Sequence, residues 1–473
     1  MAVTATERKL YVAGEWIETG EWFEVRSPYS GEVVGRVAKA GAEETRRAID
    51  AAERAMQEPL PAHKRAEILV RVAGALGRRH DEVARLISDE AGKPMKAARV
   101  EARRAMSTYT FAAVEARRLA GEMVPMDAAQ AGEGKLAFTL RRPIGIVGAI
   151  TPFNFPLNLV AHKPAPALAA GCPVVLKPAS QTPLSALLLA ELEEEAGLPP
   201  GWLNVVAGSA SEIGDVLVSD ERVKAITFTG SGTTGWGLKE RAPKKRVNLE
   251  LGNATPVIVC ADAPEVTAEK IAANAFSYAG QSCISIQRVY VMQEAWDDFL
   301  RKFVPNVEAL KIGDPADEDT DVGPVIDQDA RERILEWIRE TSGEVVTGGD
   351  TTDDGLITPT VIVNPDRADK VSCEEVFGPV VTLVRTTSLD EAIELANSTR
   401  YGLQAGIFTG SLNAALTAAQ RLEFGGVTVN EAPTFRADQM PYGGVKDSGN
   451  TREGPHYAVR ELTEERLVVI DLP

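Results

Sequence analysis

The run Val223-Lys-Ala-Ile-Thr-Phe228 passes without a break into Thr229-Gly230-Ser231-Gly232-Thr233-Thr234-Gly235. A short apolar strand that leaves through G-x-G-x-x-G into a helix turns backbone N–H groups and the positive helix end outward, where phosphate binds. The same turn also serves as a plain tight strand exit. The run therefore specifies a strand–turn–helix unit and leaves its ligand open. Its neighbours repeat the unit. Residues 144–150, 173–177, 204–206 and 247–251 read as strands, and 157–169, 183–196 and stretches starting near 210 and 232 as helices. Continuous short apolar strands separated by helices predict a parallel sheet covered on both faces.

A second α/β unit follows from about 256, with strands at 257–260, 286–292, 358–363 and 380–385 and helices at 263–280, 294–308, 328–341 and 389–398. Ahead of both, 9–36 reads as short strands broken by Gly14, Gly20, Pro28 and Gly31, and 42–119 is helical with apolar residues every three to four positions. Residues 122–142 alternate as a hairpin outside the repeat and pair in prospect with the charged strand 462–471, a candidate intersubunit sheet. At 473 residues the chain is too long for one ordinary core.

A formal charge of -17 argues against nucleic acid or an anionic membrane as the main partner. Nothing approaches a membrane-spanning apolar run, and the N-terminus lacks the apolar core of a signal peptide. The four cysteines, Cys172, Cys260, Cys283 and Cys373, lie far apart without metal-ligand spacing, and only four histidines occur. No metal site is expected, and a reducing cytoplasm fits the free thiols.

Among these cysteines Cys283 stands out, in Gly280-Gln281-Ser282-Cys283-Ile284 ahead of a strand. A buried packing thiol is the ordinary reading. The glycine turns, a strand-end carboxylate at Glu250 and the amide of Asn154 between aromatics point instead to covalent chemistry on a carbonyl coupled to a redox cofactor. Glu250 lies twenty residues beyond Gly230, where the standard fingerprint would place the acid that holds the cofactor ribose. It cannot easily do that and serve a step at Cys283, and spacing alone leaves both roles open.

Seven ordered runs resemble the aldehyde dehydrogenase superfamily over essentially the whole chain: Thr151-Pro-Phe-Asn154-Phe-Pro156, Ala170-Gly-Cys-Pro-Val-Val-Leu-Lys177-Pro-Ala-Ser180, Phe228-Thr-Gly230-Ser231, Glu250-Leu-Gly252-Asn253, Gly280-Gln-Ser-Cys283, Glu375-Val-Phe377-Gly-Pro379 and Pro441-Tyr-Gly-Gly-Val-Lys446-Asp-Ser-Gly449. The resemblance implies an α/β fold with three parts: a Rossmann-like nucleotide-binding domain (1–121 and 143–251), a catalytic domain (252–450) and a small β oligomerisation element (122–142 and 451–473) used in homodimers or homotetramers. It also implies that Glu250 is the general base. Asn253 stands where the family usually has glycine, and tolerance of a left-handed backbone by asparagine predicts little effect.

By the same resemblance Cys283 attacks an aldehyde to give a thiohemiacetal, and the Asn154 amide and Cys283 N–H steady its oxyanion, each such donor worth about 3 kcal/mol. Hydride leaves to a nicotinamide, and Glu250 activates the water that hydrolyses the thioester. Relatives that pass the acyl group to coenzyme A tend to lack this glutamate, so a free acid is expected. Lys177 matches the lysine at the adenosine ribose and Glu375 the acid at the nicotinamide ribose, with Phe377 beside it. Thr151, Pro152, Phe153, Gly208, Phe228, Gly230, Ser231, Leu251 and Gly252 complete the expected cofactor site. Many NAD-preferring members carry glutamate three residues after the lysine. Ser180 stands there in this chain, which leans the reading to NADP and keeps NAD as the alternative.

In the style of Phe155-Pro-Leu-Asn-Leu-Val-Ala-His162-Lys163 and of the Cys283 run, the chain is most similar to the lactaldehyde and glyceraldehyde dehydrogenase branch. Succinate semialdehyde and phosphonoacetaldehyde are the alternative substrates, and a catalytically silent nucleotide-binding relative is the non-enzyme alternative. His162 is expected to face the substrate tunnel, with Arg104, Ser282 and Arg436 as further candidate contacts. The absence of arginine directly before Cys283 weakens the case for a phosphorylated substrate.

Overall fold

The computed structural model describes residues 6–473. Two seven-stranded sheets organise it, each mainly parallel and each with its own apolar core, as the strand–helix pattern predicts. In the first, Arg246–Glu250, Val223–Thr229, Ile146–Ile150, Val174–Lys177 and Leu203–Val205 run parallel in that order. Leu10–Val12 and Glu15–Ile17 extend it antiparallel. The N-terminal strands are therefore divided, since Trp22–Arg26 and Val33–Ala38 form a separate three-stranded sheet with Thr6–Arg8.

Register carries the functional consequence. Thr229 pairs with Glu250, Phe228 with Ile150 and Ile150 with Lys177, so the ends of four strands line up along one edge. Ligands of open α/β sheets bind outside the carboxyl ends of their strands.

The second sheet has the order Glu344–Thr347, Thr360–Val363, Val380–Thr386, Ile286–Met292, Thr255–Val259, Gln404–Phe408 and Gly426–Val429. The sequence pattern misses three of these strands. Gln404 and Gly406 interrupt one, Gly426 opens another, and Glu344–Thr347 is a short edge strand. Lys135–Pro143 pairs antiparallel with Thr463–Asp471 along its full length, and Met123–Val124 adds a short third strand. The helix Pro455–Glu461 brings Val459 into the first core, where Leu462 just after it is also buried.

Two local departures matter for the site. The helix expected over 157–169 is two short ones, Asn158–Ala161 and Pro164–Ala170, because Pro164 has no N–H to continue the ladder. The expected 263–280 helix ends at Ala275, and Ser277–Gly280 is a tight turn in which Tyr278 and Ala279 both take φ 51°. A left-handed conformation costs a non-glycine residue about 1–2 kcal/mol. The Tyr278 hydroxyl holds it by donating to the Ala91 carbonyl at 2.9 Å. Among the described residues no helix is long and apolar enough to cross a membrane, and no group of His, Cys, Asp and Glu is arranged to hold a metal ion.

Candidate active site

Cys283 lies between two cavities. One, of about 300 Å³, is lined by Lys93, Arg104, Phe155, Ser282, Arg436 and Tyr442 among others. The second, of about 250 Å³, runs over the aligned strand ends past Pro152, Phe153, Asn154, Gly230, Ser231, Glu250, Leu251, Gly252, Glu375 and Phe377. Only Cys283 and Leu159 line both. A group bound in either cavity thus meets the same sulfur.

The second cavity and the strand ends beside it carry polar and aromatic groups of the kind a dinucleotide engages. A β-carbon on Gly252 would lie 2.2 Å from Glu375 Oε2, and the Asn253 N–H donates to Glu375 Oε1 at 2.9 Å. Burial pushes Glu375 up to about 7, with the Asn253 N–H working against it. The Thr151 and Thr229 hydroxyls are buried without partners. Lys177 is buried at the strand edge, which lowers its pKa. Ser180 donates to the Gly208 carbonyl at 3.1 Å, and Ser231 to Thr234 Oγ1 at 3.0 Å. Phe228 packs under the turn, where a β-carbon on Gly230 would meet its ring at 2.7 Å. Phe153 and Phe377 meet edge-on at 5.7 Å between centroids, and Phe377 takes φ 49°.

Asn154 is held at the junction from both sides. Its amide donates to the Gln281 carbonyl at 2.9 Å, and its own carbonyl accepts from Lys93 Nζ at 2.6 Å. Gln281 is fully buried and fastens the loop that carries Cys283, accepting from Ile326 N–H at 2.8 Å and donating to Pro324 O at 3.1 Å. Glu250 is buried with neither carboxyl oxygen hydrogen-bonded. Burial, then the charge of Glu453, pushes its pKa well up, so the protein alone keeps it a neutral acid.

Cys283 Sγ lies 2.8 Å from the Tyr442 hydroxyl. Burial pushes the thiol up to about 12, against the Tyr442 hydrogen bond. Reactive thiols owe their nucleophilicity to a lowered pKa, and the cavity acts in the opposite direction. Ionisation here needs positive charge or hydrogen-bond donation at the sulfur.

Two further expectations are corrected. His162 does not face the substrate cavity. It closes the short helix Asn158–Ala161 and is fully buried, its Nε2 3.1 Å from Asp438 Oδ1, 3.3 Å from Thr108 Oγ1 and 3.3 Å from Arg436 Nη2. Burial, then Arg436, lowers its pKa, which leaves a neutral ring. Asn253 does not occupy a left-handed position. Its side chain is buried and ties Thr255 Oγ1 (2.8 Å), the Gln404 carbonyl (3.0 Å) and the Leu403 N–H (3.3 Å) together, work that glycine cannot do.

Arg104 and Arg436 both line the first cavity. Arg104 donates to Asp438 at 3.0 Å and Arg436 to Glu453 at 2.8 Å, and each keeps a buried Nε–H without a partner. Lys163 also bonds Glu453, at 2.5 Å. Sequence reasoning missed Lys93, Glu101, Asp438, Tyr442 and Glu453. Glu101 pairs with Lys93 and accepts the Leu157 and Asn158 N–H groups at 2.9 and 3.0 Å, fixing the short helix behind Asn154. Helical spacing puts Glu101, Arg104 and Thr108 on one face of Met95–Arg118. Only Tyr442 lay inside a quoted motif.

A thiol shared by a cleft along the strand ends and a small polar cavity, with an unbonded buried carboxyl beside it, suits oxidation of a carbonyl carbon through a covalent adduct. The aldehyde dehydrogenase family model matches residues 16–468, and the chain belongs to that family. It is an NAD(P)-dependent aldehyde dehydrogenase. The chain is 44% identical to 3-sulfolactaldehyde dehydrogenase of Priestia aryabhattai over 98% of both chains. It is 40% identical to lactaldehyde dehydrogenase of Methanocaldococcus jannaschii over 98% of this chain and 100% of the other. A crystal structure of aldehyde dehydrogenase 21 from Physcomitrella patens in complex with the reaction product succinate superimposes with a TM-score of 0.96 at 40% identity, covering 99% of each chain.

Proposed function

We propose that the protein oxidises a short hydroxylated aldehyde of the lactaldehyde type to its free carboxylic acid, and that Arg104 and Arg436 accept an anionic group at the far end of that aldehyde. One observation carries the reading: both arginines line the cavity that ends on Cys283, and each holds a buried Nε–H without a partner. The balance of charge agrees. Lys93, Arg104, Lys163 and Arg436 outnumber the acids they pair with, Glu101, Asp438 and Glu453, by one. A buried uncompensated cation favours an anionic ligand. The names of two similar proteins, a sulfolactaldehyde dehydrogenase and an enzyme crystallised with succinate, support a terminal anion.

In this reading Cys283 is the nucleophile. The bound nicotinamide supplies the hydride acceptor and, oxidised, a positive charge. Asn154 has one amide hydrogen engaged with the Gln281 carbonyl and offers the other to the oxyanion, together with the Cys283 N–H. Glu250, once its proton has passed to solvent water, acts as base toward the hydrolytic water, its freedom from hydrogen bonds allowing it to move. Glu375 holds the nicotinamide ribose and Lys177 the adenosine ribose. Ser180, without the negative charge that would repel a 2'-phosphate, favours NADP over NAD.

The first sheet with its helices serves as the nucleotide-binding part, the second as the catalytic part, and the Lys135–Pro143 and Thr463–Asp471 pair as the oligomerisation element. Exposed Leu467, Val469 and Ile470 on that pair favour a homodimer or homotetramer. The four free cysteines favour the cytoplasm.

Comparison of kcat/KM for lactaldehyde, glyceraldehyde, sulfolactaldehyde, succinate semialdehyde and hexanal tests the substrate reading. Sulfolactaldehyde should lead, and Arg104→Ala or Arg436→Ala should cost it more than lactaldehyde. A preference for hexanal would contradict the polar cavity. A preference for succinate semialdehyde would keep the clamp and replace the hydroxylated substrate.

A further inference from the structure

Tyr442 occupies a place that no role above accounts for. It is buried, and its hydroxyl has a single partner, Cys283 Sγ at 2.8 Å. Its backbone is fastened to Glu453 by N–H to O bonds in both directions, at 3.2 and 2.5 Å. Its ring lies under Arg436, whose guanidinium carbon stands 3.8 Å from the ring centroid. Ile284 and Leu403 close the apolar pack around it. Neither the backbone nor the ring is free to turn the hydroxyl elsewhere.

The direction of the bond follows from chemistry. A neutral thiol can donate to the phenol oxygen or accept from it, whereas a thiolate can only accept. A bond that survives ionisation of Cys283 must therefore be donated by Tyr442. We propose that Tyr442 is a catalytic residue whose hydroxyl donates a hydrogen bond to the Cys283 sulfur, stabilising the thiolate before attack and again when it leaves. The proposal rests on Cys283 being the nucleophile.

The same contact serves both halves of the reaction. In the first, the sulfur lone pair forms the C–S bond and the charge passes to the aldehyde oxygen, so the hydrogen bond to sulfur weakens. In the second, after the adduct has given its hydride to the nicotinamide cofactor, water adds to the resulting thioester, the C–S bond breaks, and its electron pair returns to sulfur, where the phenol O–H again meets a full charge. No proton leaves Tyr442 in either step. The other charged or titratable groups that act on the thiol are Glu375 and Glu250, which oppose its ionisation, and Arg436, which favours it. Of all these only Tyr442 touches the sulfur with a hydroxyl.

The test is the rate of Cys283 alkylation by iodoacetamide, followed by mass spectrometry of the Cys283 peptide, in the full-length protein and in Tyr442→Phe. Loss of one bond to a charged acceptor should raise the thiol pKa by about one unit. A lower-pKa thiolate is also intrinsically less nucleophilic, which offsets part of the tenfold loss of thiolate and leaves alkylation about threefold slower near pH 7. The rate-versus-pH line of the variant should run parallel to that of the parent and below it. Site-specific replacement of Tyr442 by 3-fluorotyrosine keeps the packing and makes a stronger donor, so its line should lie above that of the parent. Opposite displacements cannot come from lost packing. If the lines coincide, or if both variants move the same way, the proposal is wrong. Retained aldehyde turnover in Cys283→Ala would instead sink the nucleophile assignment, while alkylation at Cys283 still reported on the bond.

Discussion

Glu375 rests against Gly252 so closely that a β-carbon on the glycine would stand 2.2 Å from Oε2 and 2.7 Å from the carboxyl carbon. The glycine is thus the seat of the carboxylate, and the Asn253 N–H beside it is the bolt. Gly252→Ala should push the carboxylate away from the cleft. Losing a charged hydrogen bond to the cofactor weakens its binding by about ten- to a hundredfold, with little change in overall stability. Titration of cofactor fluorescence measures this. An unchanged Kd would mean that Glu375 does not face the cofactor.

The raised pKa of Glu375, about 7, gives a pH dependence with a defined sign. Only the ionised carboxylate accepts hydrogen bonds from both ribose hydroxyls. Cofactor affinity should be complete above about pH 7 and fall as pH drops through that value, as the group protonates. Glu375→Gln should bind more weakly at alkaline pH and show no such fall. A parent Kd constant from pH 8 to pH 6, on the order of that range, would remove Glu375 from the ribose.

Ser180→Glu should move the ratio of kcat/KM for NAD over NADP toward NAD, by about tenfold or more, through repulsion of the 2'-phosphate and a new ribose acceptor. The Ser180 hydroxyl now satisfies only the Gly208 carbonyl, so its loss should disturb the fold little. An unchanged ratio would mean that position 180 does not face the ribose.

Glu250→Gln should bind cofactor normally and complete one round of hydride transfer, with steady-state turnover reduced about 10²–10⁴-fold by loss of the base. Stopped-flow absorbance of the reduced nicotinamide distinguishes the burst from the steady state. Loss of cofactor affinity with normal turnover would return Glu250 to the ribose-binding role that its spacing from Gly230 allows.

Much of this site was legible as short runs because a strand end, a turn and a reactive side chain must lie within a few residues of one another. Thr229, Glu250 and Lys177 meet through strand register, which the alternation of strands and helices already implies. Other parts depend on long-range packing that leaves no local mark. Lys93 reaches Asn154 from 61 positions away, and Asp438 reaches His162 from 276. His162 was misplaced because the partners that hold it in the interior, Asp438 and Arg436, lie 276 and 274 positions away. Asn253 read as a backbone accommodation because sequence cannot display the three partners its side chain finds. Tyr442 stood in plain view within a glycine-rich motif, but nothing local tied its hydroxyl to a sulfur 159 residues earlier.

The central claim is that the sulfur shared by the two cavities carries the oxidised substrate. Glu250→Gln mixed with lactaldehyde and NADP, quenched within the burst and digested, tests it most directly by mass spectrometry. The account predicts an acyl group on the Cys283 peptide in an amount equal to the reduced nicotinamide formed, and neither product in the Cys283→Ala background. Reduced nicotinamide formed without an adduct on Cys283, or undiminished in Cys283→Ala, would contradict it.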